Sequence, residues 1–228
     1  MPSRTAQLDL PRTAGWGGRR RGAGRKPAGD RAGVPHTARP PHQARLPVHA
    51  TLRALPTLGS LRACPVFNHL EAAIGAASCA AFRIVHFSVQ RDHVHLLVEA
   101  HDRTALLRGL RGFAIRAARA VNRALDRRGR VWADRYHARA LRTPREVRHA
   151  LCYVLHNWKK QVPGALRLDP CSSACWFDGW RGPRPRWSLP PAGAPPPVRA
   201  PRTWLLARGW RRLGLLALDA RPRGAAAA

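Results

Sequence analysis

The chain has 228 residues, 45% of them hydrophobic, enough for one folded domain with extensions and too many for a wholly disordered chain. It carries 41 Lys and Arg against 12 Asp and Glu, a formal net charge of +29, so the expected partner is a polyanion, nucleic acid first. No window approaches the roughly 18 uninterrupted apolar residues of a membrane span. Met1 to Gly18 also lacks the apolar stretch of a secretory signal, which leaves a cytoplasmic protein without a membrane partner as the expectation.

Only Lys26, Lys159 and Lys160 are lysines, so 38 of the 41 basic side chains are arginines. With abundant Ala, Gly and Pro this reads partly as a GC-rich coding bias, though a guanidinium is also the better fork for phosphate. The five cysteines, an odd number, fit a reducing compartment. Cys171 and Cys175 are close, but no second Cys or His pair at finger spacing completes a zinc site.

Residues 1–45 form a basic, Gly/Pro-rich arm with ten basic and two acidic residues and no apolar period. It is expected to be disordered, a solvated tail making loose phosphate contacts. From Leu46 the pattern changes. Val48 to Leu55 reads as a strand. Ser60 caps an expected helix to about Ala77, with Leu61, Val66, Leu70, Ala73 and Ile74 near helical spacing.

Phe82 to Gln90 and His93 to Glu99 read as strands of a hairpin turning at Arg91-Asp92. Asp102 or Thr104 caps the next helix, whose stripe runs from Leu106 through Leu110, Phe113, Ala117 and Val121 to Leu125. Arg108, Arg111, Arg116, Arg119 and Arg123 lie largely off that stripe. They are either a solvated face or a phosphate-facing ridge.

Val131 to Leu141 is a further expected strand. Thr143, Pro144 and Glu146 then make a capping box with proline at the first helical position, and Pro163-Gly164 stops that helix. The first six elements give the βαββαβ order of a ferredoxin-like α+β fold with an antiparallel sheet, followed by an extra helix. The expected domain spans residues 46–163. Residues 164–228 are a Pro/Trp-rich extension with a short amphipathic or turn-interrupted segment at Thr203 to Leu218.

The hairpin carries the first candidate chemistry. With Arg91-Asp92 as the turn, Val89 pairs with Val94, Phe87 with Leu96 and Val85 with Val98, all on one dry face. The other face holds His86, Ser88, Gln90, His93, His95 and Glu99. His93 and His95 therefore project together, about 7 Å apart at the backbone. Such a pair is either a hydrogen-bonded polar pair or two ligands converging on one metal ion.

The capped helix carries the second. At 100° per residue, Val147, Leu151, Val154, Leu155 and Trp158 fall within about 100° of arc. Tyr153 lies well outside, with Asn157 about 40° from it and His149, His156 and Lys160 on the same polar side. Tyr153 is either a half-exposed tyrosine that keeps its hydroxyl in water or a nucleophile, with Asn157 as an oxygen ligand one turn on.

Taken together, these segments resemble a family. The stretch DHVHLLVE at Asp92 to Glu99 is similar to the HUH motif (His, bulky apolar, His) of single-tyrosine transposases, and YVLHNWKK at Tyr153 to Lys160 resembles their tyrosine helix. VWADRYHARAL, at Val131 to Leu141, matches the segment between. The nearest branch is that of the REP-associated tyrosine transposases, whose tyrosine helix commonly reads Y-x-x-x-N-P. Trp158 stands here in place of that proline.

The resemblance spans roughly Leu46 to Pro163. It implies that His93, His95 and Asn157 hold a divalent metal ion, Mg²⁺ or Mn²⁺, and that Tyr153 is the nucleophile. It further implies cleavage and rejoining of single-stranded or hairpin DNA through a 5′-phosphotyrosine, without a nucleotide cofactor; no phosphate-binding loop of the Walker type is present. Arg108, Arg111, Arg119, Lys159 and Lys160 are the candidate DNA contacts. Relatives act either as dimers, with the tyrosine helix against the partner's HUH pair, or as monomers. Both a homodimer and a monomer remain open. A transposase-derived DNA-binding protein without cleavage activity is the alternative, and a replication initiator of the same chemistry a third reading. Tyr136 is expected to be a packed strand aromatic, and Trp176 and Trp180 a satellite cluster.

Overall fold

The computed structural model describes residues 41–160, 167–190 and 192–220. Most of the expected arm, up to residue 40, lies outside them, as do the Pro163-Gly164 helix stop and the domain boundary drawn there. The elements that position the site are β1 (Val48–Arg53), α1 (Cys64–Gly75), β2 (Phe82–Val89), β3 (His93–Ala100), α2 (Arg103–Ala124), β4 (His137–Ala140) and α3 (Pro144–His156). The strands lie in the order β2-β3-β1-β4, and every neighbouring pair is antiparallel. This is the expected ferredoxin-like α+β arrangement, with α3 as the additional helix.

Local signals account for the helix starts. The Asp102 side chain accepts from the Ala105 N–H at 2.7 Å and opens α2. At α3 the capping box forms in full: Thr143 Oγ1 accepts from Glu146 N, and Glu146 Oε2 accepts from Thr143 N. The start of α1 differs from expectation. Ser60 Oγ accepts from Arg62 N instead, and the helix begins at Cys64 with Ala63 at the N-cap and Pro65 in the first turn.

Strand alternation divides the sheet into two faces. One packs under α1 and α2, where Ala50, Leu52, Ile84, Phe87, Val94, Leu96 and Val98 meet Leu70, Ile74, Leu110 and Phe113. Gly109 permits that approach: a Cβ there would stand 2.2 Å from the Phe82 ring. The other face packs against α3 and the C-terminal extension. There Val85 and Leu97 meet Val147, Leu151, Val154 and Leu155, together with Phe177, Trp180, Leu206 and Trp210.

Three sequence expectations are corrected here. Val85 does not pair with Val98: Ile84 does, because a bulge between Ile84 and His86 turns Val85 onto the second face. The backbone of Phe87, just past the bulge, both donates to and accepts from Ser173 Oγ. The strand at Val131 to Leu141 shrinks to β4. Upstream of it the chain is held instead by a single bridge from Trp132 to Ala54 and by the Trp132 Nε1 bond to the Ala114 carbonyl at 2.8 Å. Finally, His156 is buried at the end of α3 rather than on a polar side. The extension covers it, and His156 Nε2 donates to the Ala217 carbonyl at 3.2 Å.

The extension is stitched to the sheet by buried carboxylates. Asp169 accepts both guanidinium nitrogens of Arg62, at 2.7 and 3.0 Å, and the Cys171 N–H. Glu99 accepts from Arg202 N, Thr203 N and Thr203 Oγ1 at 2.8 to 2.9 Å. The Thr203 to Leu218 segment is turn-interrupted as expected: a short helix, α4 (Trp204–Ala207), then a 3-10 turn at Gly209–Leu213. Trp180 is buried beside Phe177 and Trp210, while Trp176 packs partly against the first core. No described helix is long and apolar enough to cross a membrane.

Candidate active site

His93 and His95 stand on β3, on the face that receives α3. Their ring centroids are 4.6 Å apart. Each ring is oriented through Nδ1. His93 Nδ1 donates to Asp92 Oδ1 at 2.6 Å. His95 Nδ1 lies 3.1 Å from Thr51 Oγ1 and 3.2 Å from His49 Nε2, both on β1. Sheet register explains this: Thr51 is directly opposite His95 and Arg53 opposite His93, so their side chains share a face.

Electrostatics act on the groups that support the two rings. Burial, helped by the positive charge of Arg139, pushes the His49 pKa down to about 4. At neutral pH His49 is therefore uncharged, and its Nε2 can accept from His95 Nδ1–H. Desolvation works to raise the Asp92 carboxyl. Hydrogen bonds and charges from His93 and Arg53 outweigh it, and the carboxyl is held below the usual range. Asp92 is thus a carboxylate bridging His93 and Arg53, whose guanidinium is 3.1 Å away.

α3 brings Tyr153 onto this cluster. Its ring makes an edge contact with His95, centroids 5.0 Å apart, and another with His49 at 5.9 Å. Burial raises the Tyr153 pKa, so the phenol form dominates at neutral pH. The tyrosine and the histidine pair therefore meet within one chain.

The other sequence candidates fall differently. Asn157 follows Tyr153 by one turn as the C-cap residue of α3, buried at 6% exposure, and among the described residues no hydrogen bond joins it to either histidine. Lys159 is buried, and its Nζ donates to the Leu218 carbonyl, so its charge is directed at the extension. Lys160 ends the 3-10 turn after α3. Arg108, Arg111 and Arg119 are exposed on α2, which packs on the opposite face of the sheet from Tyr153. Tyr136 packs partly against that first core as expected, but from the segment just before β4 rather than from a strand.

Sequence reasoning missed His49, Thr51 and Asp92. The first two were legible as polar alternation in VHATLR, opposite the buried Val48, Ala50 and Leu52. Asp92 was read only as a turn residue, yet it orients His93. Among the described residues no group of three or more His, Cys, Asp or Glu side chains is arranged to hold a metal ion. The donor set is an imidazole pair whose outer-shell partners engage Nδ1 of both rings, a pattern that suits metal-ligating histidines.

An antiparallel ferredoxin-like sheet with paired histidines on a central strand, and a tyrosine from a following helix laid against them, defines a protein built around a compact polar centre on one sheet face. Residues 68–156 match the family described as "Transposase IS200 like". The match takes in both histidines and Tyr153 and stops just before Asn157. Among solved structures, a REP-associated tyrosine transposase bound to a REP hairpin is similar with a TM-score of 0.46 and 16% identity, over 56% of this chain and 74% of that one. A search of curated proteins finds no match.

Proposed function

We propose that this chain is a transposase that cleaves and rejoins single-stranded DNA through a covalent link to Tyr153, in the manner of the REP-associated branch that its motifs resemble. The observation that carries this reading is the ring cluster of His93, His95 and Tyr153, held on one sheet face of a single chain. The meeting of tyrosine and histidines in one chain supports a monomeric active unit.

His93 and His95 would hold a divalent ion, Mg²⁺ or Mn²⁺, through Nε2, with the remaining positions left to oxygen donors such as the Asn157 amide, water and the scissile phosphate. Such an ion, when bound, withdraws charge from the phosphate and orients it. Asp92 and Thr51 fix the planes of the two rings, and neutral His49 completes the support behind His95. In the reaction the Tyr153 Oη–P bond forms and the P–O3′ bond breaks. The phenol proton ends on the departing 3′ oxygen. The phosphodiester energy is kept in the phosphotyrosine, so a 3′-hydroxyl of another strand can reverse the step without hydrolysis or a nucleotide. Burial raises the Tyr153 pKa, so this phenol gives up its proton reluctantly.

One feature favours the alternative, a DNA-binding protein without cleavage activity. Among the described residues no hydrogen bond joins Asn157 to the histidines, and Trp158 follows it in place of the branch's proline. Covalent trapping separates the two. The protein is incubated with labelled single-stranded hairpin DNA from its own genomic flanks and Mn²⁺ or Mg²⁺, then denatured. A metal-dependent adduct is expected, lost completely in Tyr153→Phe and in His95→Ala. DNA binding with no adduct in either cation would establish the inactive reading.

A further inference from the structure

At the far end of the β2-β3 hairpin from His93, the C-terminal extension returns along the sheet. The Arg199 N–H donates to the Ile84 carbonyl at 2.9 Å, and the chain continues to the Thr203 cap of α4. Between this strap and the start of β2 lies an open cleft of about 480 Å³, lined by Arg83, Arg199, Arg202, Ser78 and Cys79 among others. Three guanidinium-bearing side chains thus border one cleft, and among the described residues no acidic one lines it.

Among the described residues one carboxylate, Glu99, stands against these three arginines. Arg83 is only 7% exposed. The carboxylate nearest it, Glu99, stands 3.8 Å from Arg83 Nε and already accepts three N–H and O–H donors from Arg202 and Thr203. Arg83 Nη1 reaches the Ala200 carbonyl only at 3.5 Å. Three positive charges around one engaged carboxylate leave a surplus of positive charge in a partly enclosed space. Arg83 is the buried member of the three, and its single distant carboxylate leaves room for a second anion. Burial and the neighbouring Arg202 both disfavour the charged form of Arg83, so an anion in the cleft would relieve it.

We propose that the Arg83, Arg199 and Arg202 cleft is an anion site for a backbone phosphate of the bound DNA, a contact separate from the scissile phosphate. Guanidinium groups fork phosphate oxygens, and a cleft of this size admits a phosphodiester with its sugar. Its position fits one strand serving both sites. Arg83 and Glu99 are directly paired across the hairpin, and Glu99 is four residues beyond His95 on the same face, about 13 Å along β3. The assignment rests on the DNA reading above but not on cleavage.

The test measures binding without chemistry. Full-length protein is titrated in EDTA against the fluorescein-labelled hairpin oligonucleotide at several salt concentrations. The exposed pair is neutralised as Arg199→Gln/Arg202→Gln, with Arg199→Gln alone as a milder variant whose backbone bond to Ile84 is untouched. An equal charge change at the exposed end of α2 and the loop after it, Arg123→Gln/Arg128→Gln, is the reference.

Loss of one phosphate contact lowers the slope of log K against log salt by about 0.7 to 1. That drop is expected in the double variant and not in the reference, with an unchanged melting temperature. A slope unaltered, or altered equally in the reference, overturns the proposal even if Tyr153 forms its adduct. A drop in the slope with no adduct keeps this site and removes the cleavage reading. If inorganic phosphate raises the melting temperature of the wild type but not of the double variant while the DNA slopes agree, the cleft binds a small anion and the DNA assignment is wrong.

Discussion

The two faces of the sheet are built by opposite rules. Under α1 and α2 the layer is apolar from end to end, with Ala50, Leu52, Ile84, Phe87, Val94, Leu96, Val98 and Phe113 all buried. Under α3 and the extension, apolar packing of Leu97, Leu151 and Trp210 alternates with buried polar groups: His86, Ser88, His95, Glu99, His156, Asn157 and Asp169. Apolar packing is non-directional and tolerates approximate fit, whereas each buried polar group needs a partner at hydrogen-bond distance. The first face therefore holds the fold, and the second holds side chains in chosen orientations. Loss on the first should appear as stability alone, and loss on the second as specific chemistry or proton uptake.

The largest effect tests the first half of that contrast. Phe113→Ala, in the middle of the apolar layer, should cost about 3–5 kcal/mol of unfolding free energy by urea titration. Tyr153→Phe, on the second face, should stay within about 0.5 kcal/mol of wild type while abolishing the adduct. Comparable destabilisation by the two would dissolve the contrast.

Next in size is the pH response, which should belong to the second face. Burial pushes both His86 and His156 down to about 4, below their ordinary 6.5. Near His156, Lys159 disfavours the charged form, while the Ala217 carbonyl and Asp219 favour it. In the unfolded chain these imidazoles bind protons as pH falls through 6.5, and in the folded chain they do so only near 4. Stability is thus fully present above 6.5, declines between 6.5 and 4, and is level below. Each contributes roughly 3 kcal/mol over that window. His156→Gln keeps a donor for Ala217 and removes the proton uptake. Its stability should be flatter between pH 7 and 4.5 in urea unfolding, and an unchanged slope would contradict the assignment.

A smaller effect separates support from ligation. Asp92→Asn removes the charge that orients His93 without touching the apolar layer. Mn²⁺ affinity, read by electron paramagnetic resonance on the protein alone, should weaken about 10–100-fold. An unaltered affinity would show that Asp92 serves the hairpin turn rather than the histidine.

The smallest effect is a paired test within α2. A Cβ at Gly112 would meet nothing within 4 Å, so Gly112→Ala should stabilise by about 0.5–1 kcal/mol. Gly109→Ala drives a methyl into Phe82 and should destabilise by about 1–3 kcal/mol. If thermal melts shift in the same direction, the close contact of α2 with the sheet is not the constraint on Gly109.

Much of this was legible in the chain because it is local. Period-two alternation marked the hairpin and put His93 and His95 on one side. The Thr143 capping box set the start of α3, and the 3.6-residue period turned Tyr153 away from the stripe of Val147 and Leu151. These depend on neighbours within a few residues, through backbone geometry and cap hydrogen bonds. The bulge at Val85, the truncation of β4 and the burial of His156 and Lys159 were not legible. Each answers to a partner far along the chain: Ser173 for the strand at Phe87, Ala54 and Ala114 for Trp132, Ala217 and Leu218 for the end of α3.

The sequence by itself thus determined the βαββαβ order, the caps of α2 and α3 and the chemical types of the central residues, because periodicity and capping are short-range. Tertiary structure alone decided that His49 and Thr51 stand behind His95, that the α2 arginines lie across the sheet from Tyr153, and that three arginines gather around one cleft. Those outcomes come from strand register and from a returning C-terminal strap. Both are selected by the packing of whole faces, which no local spacing encodes.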